Sequence, residues 1–300
     1  MKRGNIMLDR IIAFLTAIFA FIGSLLGLGG TKPEAKNYEV YENIRYSDAS
    51  ERNIMDIYIP EEALEREENG CILFIHGGSW TGGSKEEMAD ECIEAAGNGY
   101  IAATMSYTLY NDKNADTYSA LKVLDEIGAA IQAVKDFTSD NGITVTKVAT
   151  SGYSAGAHLS MLYAYSRFDE SPLEIAFTAN RVGPCDFSVE AWGSSGPGIA
   201  EMLAGKDICE EFADDEDAII KIVSPSYYVT ETSVPSLFGY GGRDTIVPAG
   251  NAKSIKAAFD AAGATYDYII YPNSNHMLML DPACAAEYSA KLFEYCELYF

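Results

Sequence analysis

The stretch Gly152-Tyr153-Ser154-Ala155-Gly156 places one hydroxyl between small residues. Lys147-Val148-Ala149-Thr150 before it reads as a strand, and Ala157-His158-Leu159-Ser160-Met161-Leu162 after it reads as the start of a helix. A serine on so sharp a strand-to-helix turn is pushed into a strained position where its oxygen can meet a carbonyl carbon. The small neighbours have a physical reason, since larger side chains at a tight elbow would collide with the strand or the helix. The chemistry this points to is nucleophilic attack by Ser154. It requires an oxyanion hole, a base, and an acid that orients the base.

His76-Gly77-Gly78-Ser79-Trp80 directly follows the apolar run Cys71–Ile75. Adjacent glycines let the backbone turn so that N–H groups converge on one spot, as a developing oxyanion requires. A Gly-Gly after a strand is ordinarily just a turn. Upstream of the elbow, Gly77 and Gly78 become candidate donors, with the Ala155 amide at the start of the elbow helix as another. The base follows by elimination, because the chain has three histidines. His76 belongs to the oxyanion loop, and His158 is carried into the packed side of the elbow helix. His276 remains, in the polar loop Pro272-Asn273-Ser274-Asn275-His276 after the last expected strand. The orienting acid should lie between serine and histidine in chain order. Asp244 does so, in Gly241-Gly242-Arg243-Asp244 after the strand Ser236–Tyr240. Its blander role is a turn with Gly242 or a cap on the helix that begins near Pro248. Asp214, Asp215, Glu216 and Asp217 are rivals by position, but as a charge run they read as a solvated face.

These residues need a scaffold that brings strand ends together. Tyr38–Tyr46 and Asn53–Ile59 alternate as a leading antiparallel pair. Cys71–Ile75, Tyr100–Tyr107, Ile175–Val182, Ser236–Tyr240 and Tyr266–Tyr271 read as further strands beside the elbow strand. Helices are expected over Lys85–Gly97, Asp116–Phe137, Ala249–Ala262 and Pro282–Phe300, the second with Leu121, Leu124, Ile127, Ile131 and Val134 at helical spacing. The alternation predicts an α/β fold: a mostly parallel central sheet with helices on both faces. Residues 185–233 break the rhythm as a small insertion, expected over the sheet edge and against the substrate pocket. Trp80 and Tyr153, with Tyr107 and Trp192, are candidates to line that pocket, although aromatics in such folds are more often core.

The chain divides into residues 1–30, a linker at 31–37, and one domain over 38–300. Lys2, Arg3 and Arg10 precede an uncharged apolar run from Ile11 to Leu28. That pattern reads as a membrane anchor or a signal segment, with the positive flank inside and the domain outside the cytoplasm, or secreted. In 300 residues there are 44 acidic against 21 basic side chains, a net charge of −23. Such an excess opposes nucleic-acid binding and disfavours an anionic substrate, while a neutral ester fits; its blander role is to keep the surface solvated. The six cysteines, at 71, 92, 185, 209, 284 and 296, form no CxxC pair and no metal spacing, so neither a metal site nor a disulfide framework is expected. Cys71 and Cys92 read as buried small hydrophobes.

Taken together, His76-Gly77-Gly78-Ser79-Trp80, Gly152–Leu159, Gly242–Pro248 and His276 resemble the α/β-hydrolase superfamily, over residues 38–300. Within it the chain is similar to HGG-motif carboxylesterases of the hormone-sensitive-lipase-like and acetyl or feruloyl esterase groups. The resemblance implies the α/β-hydrolase fold, with Ser154 as nucleophile, Asp244 as acid, His276 as base, and Gly77, Gly78 and Ala155 as oxyanion donors. Ser79 departs from the pattern, standing where many members have a third glycine. The implied activity is hydrolysis of carboxylic esters, small-molecule or glycan-linked, with short acyl or acylated-sugar groups and no cofactor. A serine peptidase or amidase on the same fold, or a non-catalytic membrane-tethered binding protein, are the alternatives.

Overall fold

The structure is a computed structural model that describes residues 37–300. The anchor or signal segment read over 1–30, and the linker up to residue 36, lie outside the described residues. Eight strands form one sheet: β1 (Tyr38–Arg45), β2 (Ile54–Pro60), β3 (Asn69–Ile75), β4 (Ile101–Met105), β5 (Val145–Tyr153), β6 (Glu174–Arg181), β7 (Ser236–Gly241) and β8 (Tyr266–Tyr271). Their spatial order is β1-β2-β4-β3-β5-β6-β7-β8. β2 runs antiparallel to β1 and to β4, and every other neighbour pair is parallel.

The long helices are α1 (Ala89–Gly97), α2 (Ala120–Asp140), α3 (Ala155–Ser166), α8 (Ala249–Ala262) and α9 (Pro282–Tyr299). Between β6 and β7 lie four shorter ones, α4 (Val189–Trp192), α5 (Gly196–Ala204), α6 (Lys206–Glu211) and α7 (Glu216–Val223). Every residue of β3 is buried, because both faces of the sheet are covered. Alternate β3 residues serve two cores. Cys71, Leu73 and Ile75 pack with α2, α3 and α8, whereas Ile72 and Phe74 pack with α1 and α9.

Three expectations need correction. The helix read from Asp116 begins at Ala120, where the Ser119 hydroxyl accepts the Leu121 N–H as N-cap. The preceding residues fold into a turn, since the Asn114 side chain bonds Asn111 N–H and the Leu109 carbonyl. The helix read from Lys85 opens with a 3-10 turn, Lys85–Met88, before α1 begins. The insertion over 185–233 does not cover a sheet edge. Phe187, Ile199, Leu203, Ile219 and Val223 join the same buried core as α2 and α3, so it forms an extra layer on that face. All six cysteines are free, and Cys71 and Cys92 are buried.

Candidate active site

β3 and β5 are neighbours, while the chain leaves β3 for β4 on the opposite side. Such a switch point opens a crevice beyond the carboxyl ends of the strands. The elbow sits there. Ser154 adopts φ 54° and ψ −118°, between the end of β5 and the first residue of α3. A non-glycine residue in that region is strained, and here both flanking glycines are demanded by contact. A Cβ on Gly156 would lie 2.0 Å from the Ile75 carbonyl oxygen, and one on Gly152 would lie 2.3 Å from the Gly156 carbonyl carbon. The helix can follow the strand this closely only without those side chains.

His276 arrives from the loop after β8. Its Nε2 lies 2.9 Å from Ser154 Oγ and its Nδ1 lies 2.8 Å from Asp244 Oδ2. A carboxylate only accepts, so the proton sits on Nδ1 and the Nε2 lone pair faces the serine hydroxyl. The His276 and Asp244 side chains are 2% and 3% exposed, which shields this pair from water and strengthens it. Asp281 holds the loop, its carboxylate accepting Asn273 N–H at 3.0 Å and the Ser274 hydroxyl at 2.7 Å. Asp281 stands at the N-cap position of α9, yet its side chain makes no cap bond and ties back to the histidine loop instead.

The glycine loop is set by its carbonyls. Tyr107 OH donates to the carbonyls of His76 and Gly77 at 3.2 and 3.3 Å, and the His76 Nδ1–H donates to the Gly77 carbonyl at 2.7 Å. Across a trans peptide the N–H points opposite to the C=O. The Gly77 and Gly78 amides are therefore turned away from His76 and Tyr107. Neither they nor the Ala155 amide donates to a backbone carbonyl among the described residues. A Cβ on Gly77 would stand 3.5 Å from Ser154 Cβ, so the loop lies against the elbow. Gly78, Ser79 and Trp80 all have positive φ, at 104°, 52° and 60°. Ser79, standing in for a third glycine, takes the left-handed geometry at a conformational cost.

The four aromatic pocket candidates divide, and Trp80 and Tyr107 follow the core alternative. Trp80 is buried; its indole N–H donates to His158 Nδ1 at 3.2 Å, and the His158 Nε2–H donates to the Val223 carbonyl at 2.7 Å. Trp80 thus clamps the glycine loop to α3 and the insertion rather than facing substrate. Tyr107 is fully buried and stacks on His76 with ring centroids 4.3 Å apart. Trp192 packs on Phe187 at 5.3 Å. Tyr153 is half-buried, and its hydroxyl donates to the His276 carbonyl. Burial pushes the pKa of both His76 and His158 down to about 4, leaving them neutral at pH 7 and fitting neither for general-base work. A cleft of about 570 Å³ lined by Ser50, Thr108, Thr117, Glu126 and neighbours opens beyond β4, but it shares no residue with the Ser154–His276–Asp244 cluster.

A sequence model of the family described as BD-FAE matches residues 55–259, which include the glycine loop, the elbow and Asp244. The chain is 25% identical over 244 residues to Esterase LipQ of Mycobacterium tuberculosis, covering 78% of this chain. The match spans 56% of LipQ, so this chain accounts for about half of that relative's length. Among solved structures, Esterase B of Lactobacillus rhamnosis superposes with a TM-score of 0.74 at 18% identity, over 97% of this chain and 96% of that one. A truncated carbohydrate esterase from gut microbiota superposes with a TM-score of 0.70 at 19% identity, over 90% and 99%. Both share the α/β-hydrolase arrangement of sheet and helices.

Proposed function

The chain belongs to the BD-FAE family and has the α/β-hydrolase fold, and from that premise we propose that it is a carboxylic ester hydrolase acting through Ser154. The observation that carries this reading is the continuous hydrogen-bonded line Ser154 Oγ, His276, Asp244, at 2.9 and 2.8 Å, ending on a strained elbow. His276 Nε2 takes the serine proton as Oγ attacks the acyl carbon. The carbonyl electron pair moves to oxygen, facing the amides of Gly77, Gly78 and Ala155. Collapse breaks the ester C–O bond, and the alcohol leaves with the proton from His276. Water then gives its proton to His276 and attacks the acyl-enzyme, and collapse returns that proton to Ser154. Asp244 keeps the imidazole in the required tautomer and stabilises the imidazolium.

The substrate we propose is a neutral ester with a short acyl group, free or on a sugar. The net charge of −23 repels anionic substrates, and a relative in fold is named a carbohydrate esterase. A structure of Esterase B is described with a C4-C4 tributyrin phosphonate. The Ile11–Leu28 run, with Lys2, Arg3 and Arg10 before it, is proposed to anchor the chain with the catalytic domain outside the cytoplasm. The full chain should hydrolyse p-nitrophenyl acetate faster than longer acyl esters, in the membrane fraction, and Ser154→Ala should abolish it. Equal rates for the two proteins would sink the proposal, and faster cleavage of anilides would make the protein an amidase.

A further inference from the structure

We infer that Tyr153 is a positioning residue for the general base, supported by Arg181 and Glu91; this rests on the assignment of Ser154, His276 and Asp244 above. The histidine stands on a loop, and a base must be held within hydrogen-bond reach of the proton it takes. The Tyr153 phenol donates to the His276 carbonyl, and the two rings meet edge to face at 5.7 Å. The phenol proton is thus spent on the backbone of the base.

Tyr153 is itself held. Arg181, at the end of β6, pairs in register with it, and the guanidinium lies 5.5 Å from the Tyr153 ring centre and 5.5 Å from that of Tyr288. A flat cation on aromatic faces restricts ring motion as well as attracting it. Glu91 of α1 anchors the guanidinium at 2.6 Å, with both side chains three-quarters buried. The Arg181 carbonyl also accepts the Ser154 N–H at 3.0 Å. One residue of β6 therefore braces the nucleophile through its backbone and the base through Tyr153. Glu91, Arg181, Tyr153 and His276 form a line that crosses α1, β6, β5 and the β8 loop.

Tyr153→Phe removes the hydroxyl and keeps the ring. With p-nitrophenyl acetate and the full chain, kcat should fall roughly tenfold to a hundredfold, the scale of a slightly misplaced catalytic group, while KM and the thermal midpoint stay at wild-type values. Arg181→Lys, which keeps the charge but not the flat cation, should lower kcat in the same direction and supplies the readout if the phenol proves necessary for folding. A rise in KM with kcat unchanged would make Tyr153 a substrate contact and overturn the inference. Wild-type kinetics in both variants would overturn it too, while leaving the nucleophile assignment standing if Ser154→Ala is dead. A wild-type rate no higher than that of Ser154→Ala would remove the site assignment, and this inference with it.

Discussion

Both oxygens of the Asp244 carboxylate are engaged. Oδ1 accepts the N–H groups of Ile246 and Val247 at 2.8 and 3.0 Å, while Oδ2 accepts the His276 Nδ1–H. The blander roles considered for this residue were a turn with Gly242 or a helix cap; the side chain instead closes a turn onto Ile246 and Val247, and that turn coexists with the contact to His276. Asp244→Asn keeps an acceptor for the turn but presents an N–H to His276, favouring the wrong tautomer. We expect a fall in kcat on the order of a thousandfold or more with the thermal midpoint nearly unchanged, by analogy with triads in general; a fall below tenfold in steady-state kinetics would count against Asp244 as the orienting acid. That Ser154, Asp244 and His276 would meet was legible because few residues are candidates for each position and their chain order is restrictive. Tyr107, Tyr153 and Asp281 were not legible in these roles. Each acts on backbone or polar groups of another segment, up to 123 positions away for Tyr153 and His276, and no spacing in the chain records that.

At the scale of elements, the elbow depends on how closely α3 approaches the end of β3. Gly156→Ala would drive a methyl to 2.0 Å from one carbonyl oxygen and 2.4 Å from the next, both backbone atoms that cannot rotate aside. It should cost about 1–3 kcal/mol in chemical denaturation and reduce activity by tilting Ser154. Gly198→Ala, in α5, is the contrasting case, since its added Cβ meets nothing within 4 Å. That change should be neutral or slightly stabilising, because alanine restricts the unfolded chain more than glycine does. Equal losses for both substitutions would mean that packing at the elbow is not what demands Gly156. Element identity was readable from apolar runs and spacing. The boundary at Ala120 and the 3-10 start at Lys85 were not, because local side-chain bonds of Asn114 and Ser119 decided the first, and nothing in the spacing marks the second.

At the scale of the whole molecule, two neutral histidines sit in the interior. Their folded pKa of about 4, against 6.5 for an exposed ring, means that the unfolded chain binds more protons between those values. Stability is then complete above about pH 7 and lost as pH falls through 6.5 toward 4, by about 2 kcal/mol for each ring at pH 5. Acidification also relieves repulsion within a chain of net charge −23, so the difference between proteins is the measurement. His158→Gln should be less stable at pH 8, where it loses the bridge from Trp80 to Val223, yet should show a shallower acid limb in thermal melts from pH 8 to 4.5. Parallel limbs would mean that His158 does not carry the linkage. The sequence by itself determined the alternation of strands and helices, the elbow, and the set of groups able to do acyl chemistry, because these rest on local spacing and on scarcity of residue types. Only the tertiary structure decided what holds those groups. The insertion lies on the α2–α3 face, Trp80 turns inward to His158, and Tyr153 turns to His276, because hydrogen bonds and packing between distant segments depend on where the sheet carries each strand end.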